Sequence, residues 1–359
     1  MSKKVLNVAL PGREYDIEIE RGLLSQVGER CRALLPKAVR LYVITDSNVA
    51  PLYGDRVADS LTGAGFQVKV NAVPAGEASK NARQLIELWE DMMAFGLTRT
   101  DAVVALGGGV VGDLAGFAAA SILRGVDFIQ IPTTLLAQVD SSVGGKVAID
   151  LKAGKNLAGA FWQPRGVLMD PDCLDTLPHR TFSDGMAEVL KYGCIFDRDF
   201  FDFLAARPSR GALMADIEHI LYTCCDLKRS VVTQDERDTG RRMLLNFGHT
   251  LGHAYELAGR YETWTHGEAV AAGMVLAARL GVDLGITPAE VPGTIAAALA
   301  ALDLPTEISC SQEDYAAAVG RDKKGMGDDI ALVVLEELGH AVRHKMPKAE
   351  LLALLEEPV

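Results

Sequence analysis

Residues 101–122 read DAVVALGGGVVGDLAGFAAASI, an apolar run interrupted by glycines and resumed as a longer apolar run. Asp101 to Leu106 has the length of a buried strand, and LAGFAAASIL has the length of a helix. Between them, Gly107-Gly108-Gly109-Val110-Val111-Gly112 fits G-x-G-x-x-G in a strand–loop–helix setting. Glycines let backbone approach a pyrophosphate, and a helix start offers unpaired N–H groups and a positive dipole end. A tight turn that needs small residues is the alternative for the motif alone. With flanks of this type, the stretch demands a parallel sheet with crossover helices.

The neighbouring chain repeats the pattern. Residues 5–20 alternate around Pro11-Gly12 as a hairpin would. Leu41 to Thr45 (LYVIT) is continuously apolar, as in a strand buried on both faces. A helix near 51–63, a strand at 66–73, a helix from an N-cap at Ser79 to about Phe95, and strands at 101–106 and 126–131 follow. After Pro178 the pattern becomes helical at 183–195, 197–206, 211–232, 241–258, 266–284 and 288–302. Strand-like IALVVL lies at 330–335, with a partner at 341–344. The expected fold is therefore α/β: a doubly wound, Rossmann-like NAD-binding domain over 1–178, and a mostly α-helical metal- and substrate-binding domain over 179–359. One feature departs from the usual dinucleotide domain. The glycine loop follows an internal strand, and the next strand ends in Pro132-Thr133-Thr134 rather than in an acid, which leaves Asp46 to bind the nucleoside end.

The 359 residues carry a net charge of −12 and 49% hydrophobic residues. Such a chain is globular, and its acidity excludes non-specific binding of nucleic acid or anionic membrane. Its six cysteines form no CxxC, so reduced thiols are expected. The run Ala269 to Ala278 is too short to span a bilayer, and Met1 to Leu10 lacks the features of a signal peptide. A cytoplasmic location is expected.

Against that acidity, clustered cations stand out. Gln138 to Asn156 (QVDSSVGGKVAIDLKAGKN) sets Lys146 after Gly144-Gly145 and Lys155-Asn156 after Gly154, with Asp140 in the same segment and Arg124 upstream. Lysines placed this way suit phosphate or carboxylate. Lys228, Arg242 and Lys323-Lys324 add charge near the later helices. Leu244 to Glu256 (LLNFGHTLGHAYE) holds His249 and His253 four apart, on one helix face, with Asn246 and Gly248 marking the helix start. Both histidines could reach one metal, or one could bind metal while the other moves protons; two satisfied histidines on a partly buried helix is the third reading. Glu188, three residues before Lys191, joins His249 and His266 as an oxygen/nitrogen ligand set with a fourth position open, a catalytic zinc pattern.

The segments GEASK, GGGVVGD, PTTLLAQVDSSVGGK, GKN, MAEVLKYG, DERDTG, LNFGHTLGHA, HGEAV and DKK, in this order over about residues 40–325, resemble the 3-dehydroquinate synthase family. The resemblance implies an NAD-binding domain, a helical metal-binding domain, an active site in the cleft between them and a homodimer. It implies Zn2+, with Co2+ as the alternative, on Glu188, His249 and His266. It assigns His253 to the substrate phosphate rather than to the metal, which narrows the reading of the histidine pair. It implies substrate contacts at Asp140, Lys146, Asn156, Lys191, Lys228, Arg242, Asn246 and Lys324, with Arg124 near. It implies NAD contacts at Asp46, Glu77, Lys80, Gly109, Val110, Asp113, Thr133, Thr134, Lys146 and Lys155. Two positions depart from the family pattern: Asp238 stands where Glu is more frequent, and Val147-Ala148-Ile149-Asp150 stands where a TGIN-like sequence is more usual.

The activity so implied converts a phosphorylated sugar acid, 3-deoxy-D-arabino-heptulosonate 7-phosphate, to 3-dehydroquinate and phosphate. The steps are transient oxidation by NAD+, phosphate β-elimination, re-reduction and intramolecular aldol closure. Another sugar-phosphate cyclase, or a metal-dependent alcohol or glycerol dehydrogenase, is the alternative. A non-catalytic NAD-binding or scaffold protein would not need this many metal-type and cationic positions.

Overall fold

The computed structural model describes residues 3–260, 262–321 and 328–356. Its contacts divide the chain into two compact units. The first holds Met1–Leu177 and Glu218–Arg237; the second holds Pro178–Ile217 and Asp238–Val359. A single cut at residue 178 thus captures only the first crossing. The helix Ile217–Gln234, whose periodicity reads like that of the other late helices, gives nearly all its residues to the first unit. There Cys225 Sγ reaches the carbonyl of Gln138 at 3.3 Å, and Glu218 takes Arg21 at 3.0 Å.

The first unit is built on a seven-stranded sheet. Its strands are β1 (Lys4–Val8), β2 (Tyr15–Ile19), β3 (Arg40–Asp46), β4 (Gln67–Val73), β5 (Ala102–Gly107), β6 (Asp127–Pro132) and, after a separate hairpin, β9 (Gly166–Met169). They lie in the order β1-β2-β9-β6-β5-β3-β4. Only β1 and β2 pair antiparallel, as the alternation around Pro11-Gly12 predicts; every other neighbour is parallel. Alternate residues of β3 feed opposite faces. Leu41 and Val43 join one core with the helices Val27–Leu34 and Asp55–Gly63. Tyr42 and Ile44 join another with the helices Ala82–Ala94 and Gly109–Ser121. Two-sided burial is why these strands read as unbroken apolar runs.

Two details differ from the sequence expectation. The helix over 82–94 is capped by Asn81, whose side chain accepts from Gln84 N at 2.9 Å; the Ser79 hydroxyl instead donates to the carbonyl of Pro74. The lysine-bearing stretch after Gly145 is a hairpin, β7 (Lys146–Leu151) with β8 (Gly154–Phe161). Its glycines and lysines mask the alternation of the two strands. Its Val147 and Ile149 nonetheless bury against the helix Gly109–Ser121.

The second unit is mostly helical: His179–Phe196, Arg198–Ala205, Arg210–Ala215, His249–Ala258, His266–Asp283, Val291–Ala300, Gln312–Arg321 and Lys348–Leu354. One antiparallel hairpin, β10 (Asp329–Glu337) with β11 (His340–Pro347), completes it, and the expected pairing of 330–335 with 341–344 lies within it. None of the six cysteines is in a disulfide, and five are buried. Among the described residues no helix is long and apolar enough to cross a membrane.

Candidate active site

In the first unit, the chain leaves β3 outward to β4 and then returns to place β5 on the other side of β3. Such a reversal opens a crevice at the carboxyl ends of the two strands, where α/β sheets receive ligands. Asp46 ends β3, Gly107 ends β5, and Thr133-Thr134 follow β6. Gly109 and Val110 open the helix Gly109–Ser121. A Cβ on Gly112 would lie 2.8 Å from Gln130 Oε1 of β6, so this glycine lets the helix pack close on the sheet. The Asp46 carboxylate accepts from Asn48 N and Val49 N at 2.8 and 3.0 Å, which fixes the turn after β3. Thr133 Oγ1 is buried without a hydrogen-bond partner, the kind of atom a bound polar ligand would satisfy.

Beside this loop the structure gathers Glu77, Lys80 and Asp113. Lys80 is nearly fully buried, with Nζ 2.7 Å from Asp113 and 3.4 Å from Glu77. Burial opposes its charge, but these carboxylates outweigh burial and raise its pKa. Burial pushes the Asp113 carboxyl up to about 6, with Lys80 pulling the other way. Asp150 of β7 docks here through its backbone, donating N–H to the Lys80 carbonyl at 2.8 Å.

A second cationic group lies in the same unit. Lys228 Nζ donates to the carbonyl of Asp140 and to its carboxylate at 2.7 Å. Lys228 therefore belongs with Asp140 and not, as its sequence position suggests, with the late helices. Lys146 starts β7 with its side chain exposed, and Lys155 and Asn156 lie on β8. Asn156 holds a left-handed backbone (φ 55°) while donating N–H to Asp150 at 2.8 Å. Arg124 is not brought to the loop: it follows the carboxyl end of the 13-residue helix whose amino end carries the glycines. At 1.5 Å per residue that is about 20 Å of helix.

The second unit carries the other predicted residues Glu188, Lys191, Arg242, Asn246, His249, His253 and His266. Lys324 lies outside the described residues. Glu188 and Lys191 are one turn apart on the helix His179–Phe196, ion-paired and essentially without solvent exposure, 0% and 2%. Such burial sets this pair apart from an exposed i,i+3 pair on a helix surface. Gly248, with φ 78°, starts the helix His249–Ala258. Thr265 caps the helix His266–Asp283 through a capping box with Glu268, which sets His266 at its first position. Glu188 Oε1 lies 3.5 Å from His249 Nε2 and 3.5 Å from His266 Nε2. One ligand atom from each residue lies within 4.8 Å of the others. Such spacing and donor chemistry fit a divalent metal of the zinc type. His253 is not in this cluster: its ring stands edge-on 5.9 Å from that of His249, its Nε2 is 4.0 Å from Glu256, and its side chain is more than half exposed.

The electrostatics of the two histidines differ. Burial, then Lys191, holds His249 well below its usual pKa, which keeps the imidazole neutral as a ligand must be. Its Nδ1 lies 3.2 Å from the Phe247 carbonyl. Burial also opposes charge on His266, but Glu188 and Glu256 outweigh it and raise the pKa. Glu256 is a member of this group that the sequence reading missed. The available signal was its spacing, i+7 from His249 and i+3 from His253, which places it on the same helix face.

The sequence description of the 3-dehydroquinate synthase N-terminal domain matches residues 70–184, and that of the C-terminal domain matches residues 185–325. The chain belongs to the 3-dehydroquinate synthase family. A 3-dehydroquinate synthase of Clostridium botulinum (strain Alaska E43 / Type E3) is 46% identical over 339 residues, 94% of this chain and 97% of that protein. The crystal structure of 2-deoxy-scyllo-inosose synthase complexed with carbaglucose-6-phosphate, NAD+ and Co2+ is similar with a TM-score of 0.88 and 26% identity over 100% of both chains. So is 2-epi-5-epi-valiolone synthase from Streptomyces hygroscopicus subsp. jinggangensis 5008 with NAD+ and Zn2+ bound, with a TM-score of 0.84 and 26% identity over 95% of this chain and 96% of that one. Membership in the 3-dehydroquinate synthase family makes the chain a lyase of the shikimate pathway. The higher identity to synthases of this family, 46% against 26% for the two other cyclases, does not favour another cyclase activity.

Proposed function

We propose that Glu188, His249 and His266 hold a divalent metal, and that the crevice at β3 and β5 holds NAD+, in the conversion of 3-deoxy-D-arabino-heptulosonate 7-phosphate to 3-dehydroquinate and phosphate. The observation that carries the reading is the convergence of Glu188 Oε1 on His249 Nε2 and His266 Nε2, in a chain that also has the strand–glycine–helix loop. When bound, Zn2+ (or Co2+) polarises substrate hydroxyls, and NAD+ offers a hydride acceptor that is regenerated within each turnover.

The chain's own residues account for the rest. Asp46, Glu77, Lys80, Gly109, Val110, Asp113, Thr133, Thr134 and Lys155 line the dinucleotide. Thr133 supports this by its unsatisfied hydroxyl. Lys146, Lys228 and Arg242 bind the substrate's carboxylate and phosphate as cations, and Asp140 holds Lys228 in place. Lys191 ion-pairs with Glu188 and donates toward a substrate hydroxyl. Asn156, Asn246 and Lys324 complete the polar contacts. His253, exposed and outside the proposed ligand set, moves a proton between substrate and solvent. The enzyme works in the cytoplasm as a homodimer.

The test follows inorganic phosphate and NADH together, using purified protein, substrate, Zn2+ and a catalytic amount of NAD+. Phosphate release with no net NADH, lost on chelation and restored by Zn2+, is expected. Net NADH without phosphate would sink the reading.

A further inference from the structure

His249 and His266 both face Glu188 through Nε2, so each needs something at Nδ1 to fix its ring and tautomer. His249 has the Phe247 carbonyl at 3.2 Å. His266 has Glu256 Oε1 at 3.5 Å. Glu256 is only 4% exposed. A buried carboxylate is costly unless charged or polar partners hold it. Its other oxygen, Oε2, lies within 4.0 Å of His253 Nε2, the group read here as a proton carrier. One buried acid thus joins a ligand histidine to the histidine outside the ligand set.

We propose that Glu256 is a positioning residue: its carboxylate accepts from His266 Nδ1–H and so commits Nε2 of His266 to the metal. A carboxylate behind a ligand histidine fixes ring orientation and raises ligand basicity. Glu256 and His266 lie on different helices, His249–Ala258 and His266–Asp283. The contact therefore also fixes the mutual setting of the two helices that carry the histidines.

This inference rests on the metal reading above. The full-length protein is titrated with Zn2+ against a chelating indicator, and its Co2+-loaded form is examined by visible absorption. Glu256→Ala should weaken Zn2+ about 10- to 100-fold. Glu256→Gln should weaken it less, because its amide oxygen still accepts from Nδ1–H, and both variants should shift the Co2+ bands. In a His266→Ala background, adding Glu256→Ala should change affinity no further. Wild-type affinity and Co2+ spectrum in both variants would overturn the proposal. So would an equal loss in the presence and absence of His266, which would mark Glu256 as a general packing residue. If Glu256→Ala does not fold, Glu256→Gln alone and on His266→Ala decides the matter. Failure of the wild-type protein to bind Zn2+ at all would overturn the metal reading itself, a distinct outcome.

Discussion

A Cβ placed on Gly273 would lie 2.1 Å from the carbonyl oxygen of Gly248. These two glycines let the helices carrying His266 and His249 touch at backbone distance. Gly273→Ala must push them apart, since a carbonyl cannot give way as a side-chain end can. Overpacking of this kind costs about 1–3 kcal/mol. The variant should lose that much stability in urea denaturation and bind Zn2+ at least about tenfold more weakly. Unchanged Zn2+ affinity would show that the helix spacing does not set the ligand geometry.

The two histidines of the HxxxH pair should separate cleanly. His249 faces Glu188, whereas His253 faces Glu256 and solvent. His249→Ala is expected to lose bound zinc and activity together. His253→Ala is expected to keep zinc, with turnover reduced about 10²- to 10⁴-fold, the range for loss of a general acid or base. Metal analysis of both purified variants checks this; zinc lost from the His253 variant would place that residue among the ligands.

Asp113 gives the fold a pH signature. Its carboxyl rises from 3.8 to about 6 because burial disfavours the charge. An acid with a raised native pKa binds more protons folded than unfolded between those values. Its contribution is therefore complete below about pH 4 and is lost as pH rises through about 6. The shift corresponds to about 3 kcal/mol. Asp113→Asn should remove that slope, so its stability at pH 4 and pH 6 should differ from the wild-type pattern by up to about this amount. Parallel slopes for the two proteins would mean that Asp113 ionises normally.

Much of this was legible in the sequence, and the gaps have physical causes. Two-sided burial makes β3 and β5 continuous apolar runs, so the parallel sheet announced itself. Glu188, His249 and His266 could be picked out as one cluster because few residue types suit a metal and each sits in an unusual local context. Lys228 misled because periodicity shows that a helix exists but not which unit it packs against. The β7–β8 hairpin hid behind glycines and lysines that serve as a surface on one side only. Glu256 was passed over because a carboxylate near the end of an amphipathic helix normally faces water, and only the fold reveals that this one is buried.

Lys146 offers the sharpest separation of binding from folding. It begins β7, paired in register with Phe161, and its side chain is exposed. Truncation at an exposed position costs at most about 0.5 kcal/mol of stability. A lysine that holds a substrate anion contributes a charge-assisted hydrogen bond, about 1.5–3 kcal/mol. Lys146→Ala should therefore unfold like the wild type and bind NAD+ alone as before. Its kcat/KM for the phosphorylated substrate should fall about 10- to 150-fold, the range those energies imply. The loss should shrink as ionic strength rises, because salt screens the wild-type charge as well. Wild-type turnover at low substrate concentration would remove Lys146 from the anion site. Weakened NAD+ binding in the absence of substrate would move it to the dinucleotide instead.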